Sequence, residues 1–177
     1  MKKALIIIDM QLMPFIWKNY GGKALYREDL LIANIKLLIE KARKANLPVY
    51  YVMYTETGES MRAMGQPLWQ VHPEIAPQVQ DPLIVKYNAD SFLNTSLLVQ
   101  LKDQDIKEIV LCGVQTEFCV DTTCRSGFSH GFQVELASDG HSTYDSDLLS
   151  AEQIIAHHNS ILIQFAQIKP VTEIQMG

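Results

Sequence analysis

Apolar residues fall into short continuous runs separated by stretches with helical spacing. The first run occupies residues 4–8 and stops at Asp9. Beyond a loop, Leu31, Ile35, Leu38 and Ala42 recur at intervals of four, three and four, the repeat of one helix face. That helix is predicted to end near Asn46, because Leu47 precedes Pro48 and is biased towards extended backbone. Pro48 then opens the β-branched and aromatic run Val49–Tyr54. Further runs follow at residues 83–85, 109–112 and 133–136, with a weaker one at 165–168. Helices are predicted between the later runs. One starts at Asn94 or Thr95 and carries Leu97, Leu98 and Leu101, and another holds Val120, Cys124 and Phe128 before Gly131. A third opens with Ser150 and Gln153, a capping box in which each side chain satisfies an orphan backbone donor.

Continuous apolar strands alternating with helices imply a parallel sheet covered on both faces. Right-handed crossovers make that a three-layer α/β/α sandwich with a doubly wound, six-stranded sheet. No repeat, low-complexity segment or linker interrupts residues 1–177, so one domain is expected. Two stretches break the alternation. Residues 55–82 hold Gly58, Gly65 and four prolines with Met61, Met64, Trp69 and His72, which suits an active-site wall or a surface excursion with one short helix. Residues 11–20 are read as a loop whose Phe15, Trp17 and Tyr20 border a pocket mouth or pack on a neighbouring subunit.

Composition narrows the functional classes. Hydrophobic residues at 47% exclude disorder, and a chain this long buries roughly 70% of its unfolded surface. The net charge of −5 without a basic cluster argues against nucleic acid as a partner. The apolar run before Asp9 is too short for a signal-peptide core or a membrane span. Three cysteines, an odd number, are expected to be reduced thiols of a cytoplasmic protein.

Ligands of open α/β sheets bind outside the carboxyl ends of the strands, where strand order reverses. Three chemically capable residues stand at such ends. Asp9 terminates the first run, either facing the crevice or capping the loop. Lys86 follows the third, either reaching the crevice or standing solvated. Cys119 falls at or near the start of the helix after the fourth, where unpaired N–H groups and the helix dipole favour a thiolate and a lowered pKa. Cys112 and Cys124 lie in a strand and on an apolar helix face, as packing residues do. An acid, an ammonium and a thiol converging on one crevice suit acyl transfer from a carbon–nitrogen bond.

These residues sit in segments that resemble the isochorismatase-like cysteine hydrolases: ALIIIDMQ with Asp9, VKYNADSFLNTSL with Lys86, and VLCGVQTEFCVDTTCRSGFSHGF with Cys119. ELASDGHSTYD and LSAEQIIAHHN extend the likeness over nearly the whole chain. The resemblance implies a sheet in the order 3-2-1-4-5-6 and an Asp–Lys–Cys triad. Cys119 would be the nucleophile, Asp9 the proton shuttle and Lys86 the electrostatic partner. The backbone N–H groups of Gln115 and Cys119 would form the oxyanion hole, next to a cis Val114–Gln115 bond. It further implies a homo-oligomer, dimer or tetramer, acting on a small molecule.

Metal-dependent nicotinamidases of that family carry an Asp-x-His pair after the second strand. Here residues 54–60 lack His and His72 stands alone, so no metal and no cofactor is expected. Phe15, Trp17, Trp69, Tyr87 and Phe118 are the expected pocket walls. His130, His157 and His158 are read as helix residues, and His141 as loop structure or a substrate contact. Competing readings are an isochorismate-type vinyl ether hydrolase, which needs no thiol, a non-catalytic binding domain, and a redox-sensing thiol.

Overall fold

Strands that are apolar on both faces must be covered twice. In the computed structural model, which describes residues 2–177, one six-stranded sheet meets that demand. The elements run β1 (Lys2–Ile8), α1 (Leu12–Ile16), α2 (Glu28–Lys44), β2 (Val49–Tyr54), β3 (Leu83–Lys86) and α3 (Leu97–Asp103). They continue with β4 (Ile106–Val114), α4 (Asp121–Ser129), β5 (Gln133–Ser142), α5 (Ala151–Ile161) and β6 (Gln167–Lys169). Every neighbouring pair is parallel, in the order β3-β2-β1-β4-β5-β6.

Alternate residues of each strand feed two cores. Leu5 and Ile7 of β1 pack with Leu31, Ile35, Leu38 and Ala42 of α2, joined by Val171, Ile174 and Met176 from the C-terminal segment. Ala4, Ile6 and Ile8 pack with Leu97 and Leu101 of α3 and with Val120 and Cys124. Local signals set the helix ends. Asn46 takes a left-handed φ of 54° after α2, and Gly131 one of 87° after α4. At α5 the capping box closes both ways: Gln153 N donates to Ser150 Oγ at 3.2 Å, and Ser150 N to Gln153 Oε1 at 2.9 Å.

The differences from the expected elements lie where tertiary contacts act. Residues 12–20 are helical, as α1 followed by a 3₁₀ turn at Trp17–Tyr20. Strand β5 runs on to Ser142, because Gly113 and Val114 of β4 pair with His141 and Ser142 after a register shift. The 55–82 segment contains two 3₁₀ turns, Pro67–Trp69 and Pro73–Ile75, and the buried Trp69 and Ile75 anchor it. Among the described residues no helix is long and apolar enough to cross a membrane.

Candidate active site

Strand order reverses between β1 and β4, and their carboxyl ends leave a crevice there. Close approach of the two strands depends on Gly113. It has φ of 126°, and a Cβ on it would stand 2.0 Å from the carbonyl oxygen of Ile8. Asp9 follows Ile8 in the left-handed region, at φ of 52°. Its backbone N–H donates to Val52 O at 2.9 Å, and its Oδ1 accepts from the N–H of Tyr54, the last residue of β2, at 3.0 Å. The carboxylate is thereby aimed along the sheet towards β3.

Lys86 ends β3 opposite Tyr54. Its side chain is fully buried, and Nζ lies 2.9 Å from Asp9 Oδ2 and 3.0 Å from the carbonyl of Ala89. Cys119 comes from a π-helical turn, Thr116–Val120, between β4 and α4. Its thiol is half-buried, borders the same cavity as Asp9, and feels the charges of both Asp9 and Lys86. The structure thus brings the acid, the ammonium and the thiol to one point.

Their proton affinities follow from burial and mutual charge. Loss of hydration raises the Asp9 carboxyl, outweighing Lys86, Cys119 and the Tyr54 N–H. Burial alone would lower Lys86, but the neighbouring Asp9 and Cys119 hold it above the ordinary ammonium value. The thiol departs from expectation. Burial, together with Asp9, pushes Cys119 up to about 12 against the pull of Lys86, where a helix N-terminus predicts a lowered value. The physical reason is position: Cys119 lies inside the π turn and before α4, half-buried beside a carboxylate. Cys112 and Cys124 are fully buried in the two cores.

A cavity of about 480 Å³ opens onto Asp9 and Cys119, with the fully buried Lys86 outside its lining. Asp9, Gln115 and Cys119 contribute to its floor, with Met13, Trp17, Tyr54, Arg62, Asn88, Phe118 and Tyr144 around them. The Val114–Gln115 peptide at its edge is cis. Of the five expected wall residues, Trp17 and Phe118 line this cavity. The other three are placed elsewhere. Phe15 is buried against the His72 ring, with centroids 4.7 Å apart, and borders a separate cavity of about 440 Å³ beside α2. Trp69 is buried with Nε1 donating to Thr55 Oγ1 at 2.8 Å, a solution that seals the segment instead of opening it. Tyr87 is exposed and outside the lining.

Several lining residues were not among the sequence candidates. Tyr54 ends β2 and Asn88 follows β3 by two residues, so the strand-end rule that selected Lys86 covers both. Met13 belongs to α1, whose helical form carries it back over Asp9's crevice. Arg62 arrives from the long segment, stacked 4.6 Å over the Tyr54 ring and 3.3 Å from Glu56, and no local pattern announces it. Among the described residues no group of three or more His, Cys, Asp or Glu is placed to hold a metal ion. His141 is buried within β5, bonded to Thr116 and Asn159.

Comparison with known proteins places this arrangement. The isochorismatase domain matches residues 3–158. The isochorismatase family protein YddQ of Bacillus subtilis is 29% identical over 145 residues, spanning 81% of this chain and 79% of its own length. Streptothricin hydrolase of Streptomyces noursei is 29% identical over 143 residues, 81% of this chain but only 55% of that longer protein. Among solved structures, a cysteine hydrolase from Pseudomonas syringae pv. phaseolicola superposes with a TM-score of 0.87 at 25% identity, covering 97% of this chain and 90% of the other. With the domain match spanning most of the sequence and the sheet order shared, the chain belongs to the isochorismatase family of hydrolases.

Proposed function

We propose that this hydrolase cleaves a carbon–nitrogen bond of a small amide, ureide or lactam through a thioester on Cys119. One observation carries the reading: a thiol that shares a cavity of small-molecule size with the carboxylate of a buried carboxylate–ammonium pair. Relatives named streptothricin hydrolase and nicotinamidase support the class of bond.

The proton inventory gives the chemistry its order. At rest Asp9 is ionised beside Lys86⁺, and the thiol is protonated. Losing that proton to water would leave a second anion in a buried site, which the thiol's raised pKa opposes. Passing it to Asp9 creates no new charge, and Asp9, raised by burial, is suited to accept it. The thiolate sulfur then bonds to the carbonyl carbon while Lys86⁺ stabilises the sulfur side. Developing negative charge on the carbonyl oxygen is met by the N–H groups of Gln115 and Cys119. As the tetrahedral intermediate collapses, the C–N bond breaks and the nitrogen takes the proton from Asp9. A water then gives a proton to Asp9 as its oxygen attacks the thioester. Expulsion of the thiolate releases the carboxylic acid, and Asp9 returns the proton to sulfur. The sum is amide plus water to acid plus amine. Lys86 cannot serve as the base, because its neighbours hold it charged.

The test is ammonia or amine release across a panel of amides, ureides and lactams, with Cys119→Ala as the blank. At least one compound is expected to be hydrolysed by the native chain and not by the variant. Equal release by both would remove Cys119 from the mechanism.

A further inference from the structure

The turn that carries Cys119 is held from behind by a buried polar chain. Thr116, its first residue, is fully buried, and its hydroxyl lies 2.8 Å from His141 Nδ1. His141 Nε2 lies 3.0 Å from Asn159 Oδ1. The donors can be assigned by elimination. Asn159 Nδ2 donates to the Ser138 carbonyl at 3.0 Å, so Oδ1 is the atom facing His141 and must accept from Nε2–H. His141 Nδ1 is then the acceptor, and the Thr116 hydroxyl donates to it. Burial pushes His141 down to about 4, which keeps the ring neutral and this tautomer in place near neutral pH.

A second tie runs alongside. The Thr143 hydroxyl donates to Glu117 Oε1 at 2.8 Å, so consecutive residues of the turn are fastened to the end of β5. The turn is also closed on Gln115, whose carbonyl accepts from the N–H groups of Phe118 at 3.2 Å and Val120 at 3.1 Å. Displacement at Thr116 therefore shifts Gln115 and Cys119 together. Neither Thr116, His141 nor Asn159 lines the catalytic cavity.

We propose that Asn159, His141 and Thr116 form a positioning chain that sets the backbone of the 116–120 turn, and with it the oxyanion-binding N–H groups of Gln115 and Cys119; this rests on the thioester reading above. Oxyanion donors act only when they stand about 2.7–3.1 Å from the oxygen, so a small rotation of the turn weakens them steeply. Asp9 and Lys86, whose charges act on the Cys119 sulfur, are meanwhile held by the sheet and not by the turn. Loss of the chain should consequently harm acyl transfer more than simple nucleophilicity.

Two probes separate those effects. p-Nitrophenyl acetate acylates sulfur through a tetrahedral oxyanion, whereas iodoacetamide alkylates it by direct displacement and needs no oxyanion donor. Thr116→Val should slow acylation about tenfold, while Cys119 alkylation at the same pH changes less than about twofold. Thr116→Ser, which keeps the hydroxyl, should return acylation to within about threefold of the native rate. Asn159→Ala, at the outer end of the chain, supplies the same comparison if the valine variant does not fold. Acylation that is unchanged, or that falls in step with alkylation, would overturn the positioning role. If Cys119→Ala and the native chain react alike with both probes, the nucleophile assignment fails first and the positioning chain falls with it.

Discussion

Two buried carboxylates, Asp9 at the carboxyl end of the sheet and Glu135 near its amino end, each meet lysine, with opposite consequences for their protons. Their exposures are similar, 6% and 8%. Asp9 has one ammonium, Lys86 at 2.9 Å, and lies under a greater depth of protein, so burial wins and its pKa rises. Glu135 has two: Lys3 at 2.7 Å on one oxygen and Lys169 on the other. Burial pushes Glu135 upward too, but the paired lysines override it and hold the carboxyl below its usual value. Lys3 also reaches Glu108 at 3.3 Å, which makes the amino-end cluster a network. A carboxylate clamped by two cations keeps its charge, and its contribution is structural. One cation leaves a carboxylate oriented but still able to take a proton, as a shuttle must.

The largest separation between the two sites should appear in hydrolysis. Asp9→Asn should lower kcat/KM on the order of 10³-fold, while Glu135→Gln changes it less than about twofold, measured on whichever amide the screen identifies. The same Asp9→Asn variant carries a counterintuitive expectation. Removing the negative neighbour should lower the Cys119 pKa, so iodoacetamide should label the thiol faster near neutral pH even though hydrolysis is lost. Unchanged labelling would show that Asp9 does not govern the thiol proton.

Stability offers a smaller contrast. Lys86→Met strands a buried carboxylate and should cost about 3–5 kcal/mol in chemical denaturation, whereas Lys169→Met leaves Glu135 with Lys3 and should cost about 1 kcal/mol or less. Equal losses would mean that the second lysine adds no redundancy. The pH dependence is smaller still. Because the folded pKa of Glu135 is depressed, its contribution is fully present above the ordinary glutamate value of 4.5 and is lost as pH falls through the folded value. Glu135→Gln should therefore flatten the decline of melting temperature below about pH 4.5. An unchanged acid limb would assign that decline to other carboxylates.

Legibility in the sequence differed between the frame and the cavity. The strands could be read because a parallel strand buried on both faces leaves an unbroken apolar run. The capping box at Ser150 could be read because its two bonds span three residues. Asp9, Lys86 and Cys119 were accessible by the same logic, since each follows a recognisable run and the switch-point rule gathers such positions. The cavity walls resisted. Phe15 and Trp17 are two residues apart, yet the helical path of residues 12–20 turns one against His72 and the other to the cavity. Trp69 is an aromatic in a long segment by sequence, and a buried hydrogen-bonded plug by structure. Arg62 reaches the cavity through a segment with no period to read.

The sequence by itself determined the sheet, its helical cover and the identities of the acid, the ammonium and the thiol, because those features are encoded in short-range periodicity and in residues at strand ends. Only the tertiary structure decided how those groups share protons. The sign of the Cys119 shift depends on how completely the thiol is enclosed and on a carboxylate 110 positions away in the chain, and neither is a local property. The bracing of the 116–120 turn is nonlocal for the same reason: Thr116, His141 and Asn159 meet only once β4, β5 and α5 have packed. Enclosure and long-range pairing set electrostatics, and both come into being with the fold.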